Sequence, residues 1–241
     1  MGTEEERRSR EAAQRQLLHV APIVPGEHNS VVPPAWPLVG RHEELELIEQ
    51  FMGRPAPPAS VMLSGAAGVG KTRLAREALD LARSRGLATE WAAATSASAT
   101  IPFGAVAHLV PEDLLVPARP GLLRGTARAL TERADGRRMV IAIDDAHLLD
   151  DSSAALIYHL ASTRTVSIIA SIRTGDDAPD AVVALWKDEL ADRIELQPLS
   201  RNEVALLLEE VLGATVDGAG LQRLWTWSQG NVLFLRELVL G

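Results

Sequence analysis

Ser60-Val-Met-Leu-Ser-Gly65-Ala66-Ala67-Gly68-Val69-Gly70-Lys71-Thr72-Arg73 is the stretch on which the reading of this chain turns. Ser60–Ser64 is short and apolar, the form of a buried strand. Gly65–Thr72 satisfies G-x-x-x-x-G-K-[ST] at every fixed position. Lys71–Gly86 has helical spacing and ends at a glycine stop. A strand, a glycine-rich turn and a helix in that order form an anion cradle. Glycines let the loop wrap so that successive N–H groups face one phosphate. The helix that follows aims its positive dipole end at the same charge. Lys71 is then expected to reach the terminal phosphates as a point charge, and the Thr72 hydroxyl to ligate Mg2+. Backbone and side chains of Gly65, Ala66, Ala67, Gly68, Val69, Gly70, Lys71, Thr72 and Arg73 are the expected nucleotide contacts.

Downstream, Met139-Val-Ile-Ala-Ile-Asp144-Asp145 is an apolar run ending in acid, which places carboxylates at the carboxyl edge of a sheet. Asp144 is expected to hold Mg2+ through water, and Asp145 to orient or deprotonate an attacking water. A third strand, Val166–Ser171, leads to Arg173, whose guanidinium is suited to sensing a third phosphate. Alone, an apolar strand with an Asp-Asp turn is an ordinary solvated loop; its place after the glycine-rich loop makes it a site candidate. His147 reads as a capping or packing residue. The six histidines show no metal spacing, so no histidine is assigned to chemistry.

Outward from these motifs the chain alternates strand and helix. Strands are expected at Leu87–Ala94, Arg138–Ile143 and Arg193–Leu196, and helices at Pro102–Leu109, Gly121–Ala134, Ser152–Ser162 and Ala181–Ala191. Such alternation argues for a parallel sheet with helices on both faces. The strands are continuous apolar runs, as burial on two faces requires. After Pro198 the pattern turns helical, at Ser200–Leu212, Asp217–Ser228 and Val232–Leu240. Ser200 with Glu203 three residues on is a capping-box signature. Trp225 and Trp227 are expected to pack in the core.

At the other end, residues 1–18 pair Glu4 with Arg8 and Glu11 with Arg15 at helical distance, an exposed helix or a tail. Five prolines between 19 and 37 leave an extended strap or linker. The expected division is a charged tail and proline-rich linker over 1–37, an α/β core over 38–198 and a helical lid-type subdomain over 199–241. The last apolar helix has nothing after it to finish its packing, which suggests an N-terminal piece of a longer protein.

The chain has 241 residues, with 24 Lys plus Arg against 32 Asp plus Glu and a formal net charge of −8. An acidic balance supplies no basic surface of the kind that grips nucleic acid. There is no cysteine, so disulfides, thiolate catalysis and cysteine-bound zinc are excluded. This fits a reducing, cytoplasmic setting. No apolar run approaches the roughly 18 residues that span a bilayer, and the charged N-terminus is not a secretory signal.

Val39-Gly40-Arg41 with Glu43-Glu44, then Gly65–Thr72, Ile101–Leu109, Asp144-Asp145-Ala-His, Ser171-Ile-Arg173, Leu196–Ser200 and Gly230-Asn-Val-Leu-Phe234 occur in the order found in STAND-class NTPases. The chain resembles these AAA-like signalling ATPases over residues 37–241, and most of all the ATPase module of large LuxR-type transcriptional regulators. The resemblance implies a three-layer αβα P-loop NTPase fold and an ATP/ADP switch with slow, Mg-dependent hydrolysis. It implies nucleotide-dependent self-association, DNA contact only through a C-terminal domain outside this sequence, and no membrane partner. Val39, Gly40 and Arg41 would line the adenine side. The family has Gly-x-Pro where this chain has Gly230-Asn231-Val232, which departs from the expected adenine contact. Arg124, Arg128, Arg137 and Arg138 are the candidates for an arginine offered to a neighbouring subunit. Two other readings stay open: a mechanical AAA-type ATPase, and a nucleotide-binding scaffold that does not hydrolyse.

Overall fold

In the computed structural model, which describes residues 36–53, 60–114 and 121–240, the strand–turn–helix of the glycine-rich loop lies inside a five-stranded parallel sheet. The strands are β1 (Ser60–Gly65), β2 (Ala88–Ala93), β3 (Met139–Asp144), β4 (Ser167–Arg173) and β5 (Ala191–Glu195), in the order β2-β3-β4-β1-β5. Strand β4, last but one in sequence, is therefore inserted between the strand leading into the loop and the strand ending in the acids. Register places Gly65 beside Arg173, and Ile143 beside Ala170. The loop, the acids and the arginine thus emerge on one edge of the sheet.

Both faces of the three central strands are covered, and alternate residues show how, whereas the edge strands β2 and β5 are only partly buried. Val61 and Leu63 of β1, Val140 and Ala142 of β3 and Ile169 of β4 pack with α1 (His42–Gly53) and α2 (Lys71–Ser84) through Ile48, Leu74, Ala75, Ala78 and Leu79. Met62, Ile141, Ile143, Ile168, Ala170 and Ile172 turn to the other face. There they meet α3 (Leu122–Ala134), α4 (Asp151–Ser162) and α5 (Asp180–Lys187) through Leu130, Leu156, Ile157, Leu160, Val182 and Leu185. Each fully buried aliphatic side chain contributes on the order of 1.5–3 kcal/mol. The strongly apolar β1, β3 and β4 are a direct consequence of burial from two sides. This is a three-layer αβα sheet of the P-loop NTPase type.

Three helices follow β5 with no strand among the described residues: α6 (Arg201–Leu212), α7 (Gly218–Ser228) and α8 (Val232–Leu240). The capping box forms as expected, Ser200 accepting from the Glu203 amide while Glu203 accepts from the Ser200 amide. Asp217 caps α7. These helices cluster with the sheet in one compact unit.

Two expected helices differ. Pro102–Leu109 is a run of turns closing only as a single 3-10 turn, Ala107–Leu109. Pro102 removes a donor, and Phe103 takes the left-handed conformation at φ 60 with its N–H donating to Asp150. Ala181–Ala191 is shorter than expected: α5 ends at Lys187, Glu189 is left-handed at φ 56, and Ala191 already opens β5. Helix α1 had no counterpart in the sequence reading. The charged stretch 1–18 and most of the proline-rich segment lie outside the described residues.

Candidate nucleotide site

Val69 anchors the loop: its side chain is buried in the core beneath β1 while the flanking backbone curves over the start of α2. Gly70 precedes the helix at φ 101, a conformation that favours glycine. Lys71, nearly buried, turns back over the loop, its Nζ donating to Gly65 O at 2.9 Å and Ala66 O at 2.8 Å. Burial pushes the Lys71 ammonium below its ordinary value, Asp145 opposes that shift and Arg173 adds to it. An ammonium stripped of water and beside a second cation is one that a polyphosphate would stabilise.

Thr72 Oγ1 donates to Asp144 Oδ1 at 3.0 Å, joining the loop helix to the end of β3. This puts a hydroxyl and a carboxylate side by side where Thr72 would ligate a magnesium ion and Asp144 would hold it through water. No group of three metal-binding side chains exists among the described residues. That donor set suits magnesium, which is held by one or two protein oxygens and completes its shell with phosphates and water. It does not suit a closed structural metal site.

Ser171, in the sequence reading only a polar step before Arg173, organises both acids. Its hydroxyl donates to Asp144 Oδ1 at 2.6 Å and accepts from the Asp145 N–H at 2.9 Å. Asp145 itself is left-handed at φ 51 and ψ 46, a conformation costing a non-glycine residue about 1 kcal/mol or more. The bond from Ser171 holds it there. Arg173 stands exposed at the end of β4, beside Gly65.

His147, assigned no chemistry from the sequence, lies inside this constellation. It is buried between Asp145 and Asp176, the latter in the turn after β4. Burial pushes its imidazole below the ordinary histidine value, and the two carboxylates pull the other way. Asp150 caps α4 and fixes the Phe103 turn. Burial pushes its carboxyl up, but hydrogen bonds from Ser153 and from the Phe103 amide outweigh that and hold it below its ordinary value.

On the other side of the loop, Arg41 is buried. One guanidinium nitrogen donates to Val69 O at 3.1 Å and to Gln197 O, and the other pairs with Glu44 at 3.1 Å. Val39 and Gly40 lead into it, and a Cβ on Gly40 would strike the Glu203 side chain. Arg41 therefore staples the loop to the segment after β5. Arg73 turns away into an ion pair with Glu77 at 3.1 Å.

Two residues from the helical segment also touch the loop. Asn231 Nδ2 donates to Ala67 O at 2.7 Å, and the Leu233 N–H donates to Gly68 O at 3.2 Å. Gly68 can be so close only because it lacks a side chain, since a Cβ there would collide with Asn231 Oδ1. Gly230, at φ 73, is pressed against Leu199 in the same way, and its carbonyl accepts from the Leu199 N–H at 2.9 Å. Trp225, in α7, is partly buried, with its indole N–H buried and unpartnered.

The description "AAA ATPase domain" belongs to the family model that matches residues 37–170, more than half of the chain. No curated protein matches significantly. Among solved structures, DnaA from Aquifex aeolicus with bound AMPPCP is similar at a TM-score of 0.57 and 16% identity, covering 86% of this chain and 64% of that one. A RuvB variant from Thermotoga maritima gives 0.54 and 17%, covering 83% and 60%. The Aeropyrum pernix ORC1 protein, solved in complex with DNA, gives 0.52 and 19%, covering 79% and 53%. The chain spans less than two thirds of the length of each of these three structures.

Proposed function

Because the chain belongs to the AAA ATPase domain family, we propose that it is a nucleotide-operated switch of STAND type, the ATPase part of a LuxR-type transcriptional regulator. The observation that carries this reading is the pair of hydrogen bonds from Asn231 and Leu233 to the phosphate loop. They tie the start of α8 to the loop, so a change of nucleotide would have a mechanical output. The helices would report ATP or ADP to whatever follows them. DNA would be engaged only by a domain outside this sequence, and self-association would accompany the ATP state.

The N–H groups of Gly65–Thr72 and the Lys71 ammonium grip the β- and γ-phosphates. Arg173, beside the loop, contacts the third phosphate and distinguishes ATP from ADP. Thr72 and Asp144 would hold Mg2+, which when bound neutralises charge on the phosphate oxygens. Asp145 orients the attacking water and accepts its proton. Val39, Gly40 and Arg41 border the base, Arg41 as the brace of the loop rather than as a free contact.

The test is to denature the purified protein and identify the nucleotide it releases, then to measure turnover at rising protein concentration. Retained ADP and slow turnover independent of concentration support the switch. Turnover rising steeply with concentration would favour a mechanical AAA-type ring enzyme. No affinity for ATP or ADP would overturn the nucleotide site altogether.

A further inference from the structure

His147 lies in the short 3-10 turn Ala146–Leu148 immediately after the two acids. Its side chain is only 3% exposed. Its Nδ1 lies 3.9 Å from Asp145 Oδ1, and its Nε2 lies 3.5 Å from Asp176 Oδ2. Nδ1 is buried with no hydrogen-bond partner. A buried polar atom without a partner carries a desolvation cost of about 1–3 kcal/mol, which an apolar side chain of the same volume would avoid. Packing alone therefore does not account for a histidine here.

The neighbouring acid supplies the missing reason. The Asp145 backbone is pinned by its own turn and by Ser171. Only its side-chain rotation remains to be set. The gap between Nδ1 and the carboxylate exceeds a hydrogen bond by less than 1 Å, within the reach of a small rotation about the Asp145 side chain. Catalytic hydrogen bonds often tighten only once substrate is bound. From the far side Asp176, three residues after Arg173, backs the ring.

We propose that His147 is a positioning residue for Asp145: it aims the Asp145 carboxylate and couples it, through Asp176, to the turn that follows Arg173. Arrival of a third phosphate at Arg173 would thereby be felt by the group that orients water. This rests on the reading of Asp145 as the water-orienting acid.

The experiment measures ATP affinity by titration and steady-state Mg·ATP turnover on the whole chain, comparing wild type with His147→Ala, His147→Gln, Asp145→Ala and the Asp145→Ala/His147→Ala double variant. The expected result is a fall of about tenfold in kcat for His147→Ala, a modest share of the 10²–10⁴ that a general base supplies. ATP affinity should stay within about twofold. Gln, which keeps an N–H donor, should recover part of the loss. Because His147 acts through Asp145, removing it should add nothing in the Asp145→Ala background. Wild-type kcat in His147→Ala, or losses that multiply in the double variant, would overturn the proposal. So would failure of both single His147 variants to fold, which would make the residue a packing element. An Asp145→Ala chain that binds ATP and turns over like wild type would instead overturn the reading of Asp145 on which the proposal rests, as would a wild type with no turnover.

Discussion

On its acid side, the phosphate loop meets the ends of β3 and β4 through a polar chain: Thr72 donates to Asp144, Ser171 donates to Asp144, and the Asp145 amide donates to Ser171. On its other side, it meets distant segments that hold only its carbonyls: Arg41 on Val69 O, Asn231 on Ala67 O, the Leu233 amide on Gly68 O. The first side has the groups that could handle a phosphate and its metal. The second has none, yet it fixes where the loop lies relative to α6–α8. Chemistry and transmission are thus expected to separate by mutation, the first affecting turnover and the second affecting nucleotide retention.

Ser171→Ala should break the acid side hardest. It removes a hydrogen bond to a carboxylate and the bond that restrains a left-handed Asp145. Hydrogen bonds to charged groups are worth about 1.5–3 kcal/mol, so turnover should fall roughly ten- to hundredfold with a smaller change in ATP affinity. Steady-state kinetics beside a binding titration would show it. Equal losses in both quantities would deny the division.

Asn231→Ala should act on the transmission side. One hydrogen bond is worth about 1 kcal/mol, or roughly fivefold in an equilibrium constant. The expected outcome is faster ADP release by about that factor, read by stopped-flow displacement of a fluorescent nucleotide. A fall in kcat larger than the change in release would place Asn231 with the chemistry instead.

The smallest effect is one of pH. The folded state holds His147 below its ordinary value of 6.5, by burial acting against Asp145 and Asp176 and with Arg173 and Lys71. The unfolded chain therefore takes up this proton first as pH falls. Stability from this group is complete above about 6.5 and declines below it as pH falls toward and through the folded value. His147→Gln should flatten the melting-temperature profile below neutral pH. An unchanged slope would mean that other groups set it.

The acid side was largely legible in the sequence because each element there is local: an apolar strand and, within two or three residues, the group it delivers. Gly65–Thr72, Asp144, Asp145 and Arg173 are brought to one edge as their strand ends require. Ser171 was only half visible, since its role depends on β4 being inserted beside β3. The other side was visible only through the resemblance, which picked out Arg41 and Gly230-Asn231-Val232 but as neighbours of the adenine, not as braces of the loop. Asn231 meets Ala67 across 164 residues and Arg41 meets Gln197 across 156, and no periodicity encodes such a meeting. His147 read as a capping or packing residue because Asp176, which gives it a second carboxylate, arrives from the turn after another strand. The helix expected at Pro102–Leu109 failed for a local reason that spacing hides: Pro102 and the left-handed Phe103 break the backbone before apolar periodicity can act.

The most direct test of the account is a calorimetric titration of Mg·ATP and of ADP into the nucleotide-stripped wild type and into Lys71→Ala. Wild type is expected to bind both nucleotides saturably, and the variant to lose at least a hundredfold in affinity, about 2.7 kcal/mol. A Lys71→Ala protein that binds ATP as tightly as wild type would contradict it.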